Sequence, residues 1–165
     1  MTVIGLIADT HGLVRPEIAR AFDGADLILH AGDVGSAAVL EALNAIAPTV
    51  AVYGNVDDEH DPALAAERVV TIDHVTIHVS HGHELGRPTP ELVLRRYTGD
   101  VLVFGHTHRA VILRSDDGRL VVNPGAAGPR RFHLQPSVAR LTIANRTPAV
   151  DVVPLAAPTA GRIRR

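Results

Sequence analysis

Apolar runs separated by polar turns dominate the first third of the chain. The runs lie at residues 3–8, 27–29 and 49–53, and their continuous apolar character is typical of strands buried on both faces. Apolar residues recur at helical spacing after Pro16, which suits a first helical position, and after Ser36, which can cap a helix. Three strand–helix or strand–loop units in a row predict a mostly parallel α/β sheet.

The rest of the chain has the pattern of hairpins around one further helix. Strands are predicted at 69–72, 75–79, 101–104, 111–113, 120–122, 137–143 and 149–154, with a helix from Thr89 to about Tyr97. Asp73 and His74 join the first pair of strands, and both residue types tolerate the positive φ of a tight turn. We expect this half to be antiparallel and to pack as a second sheet.

Length and composition are those of one globular domain. The chain has 165 residues, of which 46% are hydrophobic and 21% charged, so it can bury a sizeable core. We expect a domain over residues 1–155 and a disordered tail over 156–165, because that last segment is small, proline-containing and basic.

Composition also argues against several classes of protein. No apolar run is long enough to span a bilayer, the N-terminus lacks a basic leader, and cysteine is absent, so a cytoplasmic protein without disulfides is expected. A net charge of -2 and 3% aromatic residues provide neither a basic patch nor stacking platforms, which argues against nucleic acid as a partner. A homo-oligomer is compatible with the sequence.

Side chains that bind metals follow five of the predicted strands, at the point where each strand ends. They are Asp9, His11, Asp33, Asn55, His81, His106 and His108. Because ligands of open α/β folds bind outside the carboxyl ends of the strands, we expect these residues to meet at one edge. Seven ligands are too many for one transition-metal ion, but they suit two ions that share a carboxylate, for which Asp33 is the natural bridge.

The ligand types indicate both the metal and the chemistry. Imidazole and oxygen ligands without sulfur favour manganese, with nickel, iron, zinc or cobalt as alternatives, and argue against calcium. Two such divalent ions roughly 3.5–4 Å apart can clamp a phosphoryl group and generate a hydroxide nucleophile near neutral pH.

Five ordered motifs carry a resemblance to a known family. The motifs are Asp9-Thr10-His11, Gly32-Asp33, Gly54-Asn55-Val56-Asp57, His81-Gly82-His83 and Gly105-His106-Thr107-His108. Together they resemble those of the calcineurin-like metallophosphoesterases, and the short length, the Gly-Asn-x-Asp form and Asn123-Pro124-Gly125 resemble the small bacterial and archaeal phosphodiesterase branch. The resemblance covers roughly residues 3–155 and implies a four-layer αββα sandwich, with two packed mixed β-sheets flanked by helices.

The resemblance also implies how two ions share the ligands. These are Asp9, His11 and His108 for one ion and Asn55, His81 and His106 for the other, with Asp33 bridging. A hydroxide between the ions would attack phosphorus in line, with the ions neutralising charge on the phosphoryl oxygens. The predicted activity is hydrolysis of small phosphate esters, most of all phosphodiesters. A non-catalytic protein-interaction scaffold on the same fold is the main alternative, and a nuclease is a weaker one.

Two positions depart from the family pattern. Val56 stands where many members carry a histidine that protonates the leaving group, so slow turnover or a leaving group that needs little protonation is expected. His83 is the nearest substitute in the sequence, and Asp57 is expected to orient a metal ligand. Ala126 replaces the serine that often follows Asn-Pro-Gly, which removes one hydrogen bond to the phosphate or to a ligand.

The remaining histidines and two arginines have simpler explanations. His30 follows a strand, and a structural role is favoured over support of a metal ligand. Arg130 and Arg131 either meet a phosphate or are solvated. The other histidines are expected on loops or on the sheet surface: His60, His74, His78 and His133.

Overall fold

Two β-sheets packed face to face form the centre of the molecule, and short helices cover their outer faces. The computed structural model describes residues 1–131 and 133–155, so the predicted tail over 156–165 lies outside the described residues. In chain order the elements are β1 (Thr2–Ile7), α1 (Glu17–Ala21), β2 (Leu27–His30), α2 (Ala37–Asn44), β3 (Thr49–Val52), β4 (Leu64–Ala65), β5 (Glu67–Ile72), β6 (Val75–Ser80), a 3-10 turn (His83–Leu85), α3 (Pro90–Arg96), β7 (Val101–Val103), β8 (Val111–Arg114), β9 (Leu120–Asn123), β10 (Ser137–Ala144) and β11 (Thr147–Pro154). None of the helices in the described ranges is long and apolar enough to cross a membrane.

Both sheets are mixed. The first runs in the order β11-β10-β1-β2-β3-β4. Its strands β1 to β4 are parallel to one another, β10 pairs antiparallel with β1, and β11 pairs antiparallel with β10. The second runs in the order β5-β6-β7-β9-β8, with β6, β7 and β9 parallel at its centre. The predicted metal ligands all follow parallel strands of these two sheets: β1, β2 and β3 of the first, and β6 and β7 of the second.

Apolar layers hold the sheets and helices together. The layer between the two sheets includes Leu6 from β1, Ile77 from β6 and Val103 from β7, all fully buried. A second layer packs α1 and α2 on the outer face of the first sheet around Phe22. A third packs α3 on the outer face of the second sheet around Leu102. This arrangement of four layers confirms the predicted αββα sandwich.

The alternation of side chains along β7 fixes the strand that leads into the last motif. Val101 and Val103 face the other sheet, whereas Leu102 packs beneath Val93 of α3. Each fully buried valine or leucine contributes about 1.5–3 kcal/mol to folding. Because β7 is anchored on both faces, the loop that begins at its carboxyl end has a fixed starting point.

The prediction that the second half of the chain forms an antiparallel second sheet was wrong in part, since only the hairpins β5–β6 and β8–β9 lie in that sheet as antiparallel pairs. β10 and β11 return to the first sheet beside β1, and the second sheet contains two parallel pairings. A hairpin pattern reports local pairing only, and contacts distant in sequence decide which sheet a hairpin joins. At the helix starts, Thr89 accepts a hydrogen bond from the Leu92 N–H as predicted, but Ser36 forms no side-chain cap.

Candidate active site

Loops that follow five parallel strands lie against one another at one edge of the molecule. Backbone hydrogen bonds tie neighbouring loops together: the Asp9 N–H donates to the Gly32 carbonyl, and the Gly105 N–H donates to the His81 carbonyl, both at 3.0 Å. The two sheets are joined there because the His106 N–H donates to Asp9 Oδ2 at 3.1 Å. This edge brings together all seven predicted ligand residues.

Five of these seven residues have a left-handed backbone conformation. The φ angle is 53° at Asp9, 46° at His11, 54° at Asp33, 72° at His106 and 62° at His108. The other non-glycine residues with positive φ in the described chain form the tight turns of two hairpins: Asp73, His74, Asn145 and Arg146. For a histidine this conformation costs about 1–2 kcal/mol, so the surrounding fold must hold the site residues in it.

One group of candidate ligand atoms belongs to Asp9, His11 and His108. The His11 Nε2 atom lies 3.4 Å from His108 Nε2, which lies 3.5 Å from Asp9 Oδ1. The candidate ligand atoms of the three residues all lie within 4.8 Å of one another. Two imidazole nitrogens and a carboxylate oxygen thus face one small space, and this donor set suits a first-row divalent cation.

A second group surrounds the side-chain oxygen of Asn55. This oxygen lies 3.1 Å from both His81 Nε2 and His106 Nδ1, which are 3.3 Å apart. The His81 Nδ1–H donates to the Ala31 carbonyl at 2.8 Å, so in the neutral ring Nε2 keeps its lone pair for the group. A backbone carbonyl that fixes the tautomer in this way is a common support for a metal-binding imidazole.

Asp33 lies between the two groups. Its Oδ2 atom is 3.3 Å from His81 Nε2 and 3.6 Å from His11 Nε2, so it reaches one ring of each group. Its Oδ1 atom accepts a hydrogen bond from the Val56 N–H at 3.1 Å. His106 belongs to one group and His108 to the other. These positions are those that a bridging Asp33 and two separate ions require; the assignment of ligands stays a prediction.

The buried carboxylate of Asp9 fits a bound cation. Asp9 is fully buried, and its Oδ1 forms no hydrogen bond with any described residue. Burial raises the pKa of Asp9 to about 7 despite the opposing charge of His81. Burial would lower the pKa of His81, but the Asp33 and Asp9 carboxylates outweigh it and raise the pKa overall. A positive charge is therefore stabilised at this position, as expected where buried carboxylates bind a metal.

The other titratable groups have the protonation states that a metal needs. Burial opposes ionisation of Asp33, but the hydrogen bond and charge of His81 hold its pKa at about 2. Burial lowers the pKa of His108 to about 4 and also lowers the pKa of His11 and of His106. Near neutral pH the carboxylate is thus ionised and these three rings are neutral, which are the metal-binding forms.

Asp57 connects two of the loops that carry ligands. Its carboxylate accepts hydrogen bonds from the backbone N–H groups of Val34, Gly35 and Gly54, at distances of 3.0, 2.9 and 2.9 Å. Asp57 therefore holds the backbone of the loop after β2 against the backbone of the loop after β3. None of these three hydrogen bonds involves the side chain of a candidate ligand. Its expected role in orienting a metal ligand stays a prediction.

Asn123 fixes the loop after β7, which carries His106 and His108, and it was not among the predicted site residues. It is fully buried, and its Nδ2 donates to the Gly105 carbonyl at 3.1 Å and to Thr107 Oγ1 at 3.0 Å. Its Oδ1 accepts the Gly125 N–H at 2.9 Å. The signal for this role was present in the sequence, because Asn123 is a polar residue that follows the buried apolar run of β9.

His30 is structural, as favoured from the sequence. The Thr10 hydroxyl donates to the Val34 carbonyl at 2.8 Å, so the His30 Nε2–H must donate to Thr10 Oγ1 at 2.9 Å. The His30 Nδ1 atom accepts the Gly32 N–H at 3.1 Å. The ring is therefore neutral, and its complete burial lowers its pKa to about 3.

The burial of His30 predicts that the metal-free protein loses stability in acid. The folded pKa lies below the unfolded value of 6.5, so this contribution is complete above about pH 6.5 and is lost as the pH falls towards about 3. The loss amounts to about 1.4 kcal/mol per pH unit within that window. Urea unfolding from about pH 7 to about pH 5 should show a weaker pH dependence for His30→Gln than for the wild type. The exposed residue His60 supplies the control, since His60→Gln should keep the wild-type slope.

His83 and Val56 border the site from two sides. The His83 ring centroid lies 5.3 Å from that of His81 and 6.4 Å from that of His106, and its side chain is 30% exposed. Val56 is 54% exposed and has no proton to donate from its side chain. The position of His83 is compatible with proton donation to a leaving group, and that role stays a prediction.

The remaining predicted positions divide into confirmed and wrong. The loop histidines His60, His74 and His133 are exposed. The prediction of a surface position for His78 was wrong: the ring is buried and stacks on Tyr97 at a centroid distance of 4.2 Å, because α3 covers this face of the second sheet. Arg131 lines a cleft with His106 and His108, and Arg130 does not line it.

Known proteins resemble this chain in sequence and in fold. The model of the calcineurin-like phosphoesterase superfamily domain matches residues 1–146. A probable metallophosphoesterase of Methanothermobacter thermautotrophicus is 33% identical over 94% of this chain and 94% of that protein. A phosphodiesterase of Methanocaldococcus jannaschii is 31% identical over 74% of this chain and 82% of that protein. Vps29 of Chaetomium thermophilum shares the fold, with a TM-score of 0.76 at 22% identity over 94% of this chain and 97% of that one.

The match over residues 1–146 confirms the resemblance carried by the five motifs. The identity to the archaeal metallophosphoesterase extends over nearly the whole of both chains, so it includes the loops of both sheets and not one motif alone. This protein belongs to the calcineurin-like phosphoesterase superfamily.

Proposed function

We propose that this protein is a phosphodiesterase that holds two divalent ions between the loops of its two sheets. The observation that carries the proposal is the position of Asp33 Oδ2, 3.3 Å from a ring nitrogen of one ligand group and 3.6 Å from a ring nitrogen of the other. A single carboxylate oxygen shared by both groups supports two ions side by side. The phosphodiesterase of Methanocaldococcus jannaschii supports the choice of a diester as substrate.

Seven residues would bind the two ions. Asp9, His11 and His108 would hold one ion, Asn55, His81 and His106 the second, and Asp33 both. When bound, the two ions would supply Lewis acidity towards the phosphoryl oxygens and lower the pKa of a water molecule towards neutrality. Manganese is our preferred metal, and nickel, iron, zinc and cobalt suit the same ligands.

Protonation of the leaving group would depend on one residue at the border of the site. The exposed side chain of Val56 offers no proton, and we assign the role of proton donor to His83, which borders the second ligand group. A leaving group that is stable as an anion, such as 4-nitrophenolate, needs no donor. We therefore expect aryl diesters to be cleaved faster than alkyl diesters.

A scaffold role, the main alternative, finds less support. The exposed large apolar side chains in the described chain are Met1, Leu13, Val56, Val69 and Ile112, and Val69 of β5 and Ile112 of β8 lie on opposite edge strands of the second sheet. A protein-interaction surface is expected to gather such residues in one patch. The likeness to Vps29 concerns the fold and carries no function to this chain.

Hydrolysis of bis(p-nitrophenyl) phosphate tests the proposal. Purified protein freed of metal should gain activity with added manganese, and should be assayed in parallel with nickel, cobalt, iron and zinc. His106→Ala should remove the activity, because this ring would supply one of the four ligand atoms assigned to the second ion. The matched control is His60→Ala, an exposed loop histidine that should leave the rate unchanged.

Two outcomes would contradict the proposal. One is the absence of turnover with all five metals in a protein that remains folded. The other is equal activity of His106→Ala and the wild type, since it would place the chemistry outside the loops described above.

A further inference from the structure

Three arginines from separate parts of the chain converge beside the ligand groups. Arg87 follows the 3-10 turn, Arg109 directly follows His108, and Arg131 lies between β9 and β10. Together with His106 and His108 they line a cleft of about 210 Å³, which we call the arginine cleft. The lining contains no carboxylate, and its remaining members, Thr107 and Leu134, carry no charge, so the three arginines give the cleft a net positive charge.

These arginines have no carboxylate partner in the described part of the chain. Within residues 1–131 and 133–155, none of the three forms an ion pair within 4.0 Å, whereas Arg119 binds Asp117 at 2.8 Å. All three line the same cleft as His106 and His108, which places them beside the ligand groups. Guanidinium groups that face the site without a carboxylate partner are available to an anion.

We propose that the arginine cleft binds a second phosphate group of the substrate, so that the preferred substrate is a small phosphodiester that also carries a phosphate monoester. This inference rests on the proposed phosphodiesterase activity. The cleft is smaller than the roughly 300 Å³ at which pockets for whole small molecules begin, so its volume suits one group of a substrate. Arginine binds phosphate through paired N–H donors, which gives both affinity and orientation.

A second cleft shows why the anionic group belongs in the arginine cleft. The second cleft has a volume of about 290 Å³, lies beside His83, and is lined by Glu67 and Glu84 as well as Arg96. The two carboxylates there would repel a phosphate group. The two clefts therefore give the site a charge polarity, with the cationic side next to His106 and His108.

A matched pair of chromogenic diesters tests the proposal. The probes are thymidine 5'-(4-nitrophenyl phosphate) and the same ester with a 3'-phosphate. Both release 4-nitrophenol, which is the species measured. The wild type should use the 3'-phosphorylated ester with a kcat/KM roughly tenfold higher, mainly through KM, because charge-assisted hydrogen bonds to the added phosphate favour binding. Salt should reduce this preference.

Arginine variants locate the effect in the cleft. Arg87→Ala, Arg109→Ala and Arg131→Ala should each lower the preference by roughly threefold, and the triple variant should abolish it. The rate on the unphosphorylated ester should stay within about twofold of the wild type, because that ester has no group for the cleft. Arg95→Ala, which removes an exposed arginine of α3, controls for net charge. Equal kcat/KM values for the two esters in the wild type, or a preference that survives in the triple variant, would overturn the proposal.

A binding measurement separates this inference from the proposed activity. Calorimetry should show that thymidine 3',5'-bisphosphate binds the manganese-treated wild type roughly tenfold more tightly than thymidine 5'-monophosphate, and that the arginine triple variant loses the difference. Equal affinities of the two nucleotides for the wild type would refute the arginine cleft even if diesters are hydrolysed. No turnover of any ester would refute the proposed activity, and the calorimetric comparison would still decide the cleft.

Discussion

Asp33→Asn should lower manganese-dependent hydrolysis of bis(p-nitrophenyl) phosphate by roughly a thousandfold, equivalent to about 4 kcal/mol of transition-state stabilisation. The substitution keeps the shape of the side chain but removes its charge. The Val56 N–H still needs an acceptor where Asp33 Oδ1 now lies. The amide oxygen would satisfy it, which turns the NH₂ group towards the ring nitrogens of His81 and His11. A donor would then occupy the place of the shared oxygen.

Metal analysis and kinetics should be measured together on this variant. The Asp33→Asn protein should retain its circular dichroism spectrum and bind less manganese than the wild type. Asp58→Asn changes an exposed carboxylate of a neighbouring loop and should leave both quantities unchanged. Activity of Asp33→Asn within about tenfold of the wild type would rule out a bridging role for Asp33.

Gly54→Ala should destabilise the protein by about 3 kcal/mol and also remove its metal-dependent activity. A Cβ atom at this position would overlap Asp33 Oδ1 and lie 2.7 Å from Asp33 Cγ. The Gly54 N–H also donates to Asp57 at 2.9 Å, so the backbone cannot move away without breaking the connection between the loops. Close approach of this turn to Asp33 therefore requires glycine.

Thermal unfolding and the hydrolysis assay measure the two effects of Gly54→Ala. Gly118→Ala is the control, because no atom lies within 4 Å of a Cβ at that hairpin turn, where φ is 87°. It should cost about 1–2 kcal/mol through backbone strain alone and leave the rate unchanged. A Gly54→Ala protein with wild-type activity would show that Asp33 need not keep its position.

The sequence was sufficient to predict which residues lie together at this edge, because these residues obey a rule of position. Asp9 directly follows a buried apolar run and His81 directly follows β6, and the strand ends of parallel sheets gather at one edge. The local pattern identified each strand, and the polar residues just after the strand identified the candidate ligands. Glycines beside Asp33 and His106 marked the tight turns that bring these residues close together.

What the sequence did not predict depends on contacts between distant segments. Asn123 is recognisable in the sequence as a polar residue after an apolar run, but its hydrogen-bond partners in the loop after β7 are known only once β9 lies beside β7. The burial of His78 was not predicted, because the helix that covers that face of the second sheet lies further along the chain. The convergence of Arg87 and Arg131 likewise joins segments more than forty positions apart. Local patterns carry no information about such pairs.

The left-handed backbone at the site has a consequence for the descent of this protein. The left-handed backbone at His11, His106 and His108 lowers the free energy of unfolding by about 1–2 kcal/mol per residue. The sum is a sizeable part of the roughly 5–15 kcal/mol free energy of unfolding that is typical of a folded domain. Asparagine or glycine at these positions would relieve the strain. A gene copy released from catalysis would thus gain stability by discarding its histidines, and selection for folding alone would erase the site. Retention of these histidines in a lineage would therefore indicate selection for a property other than folding.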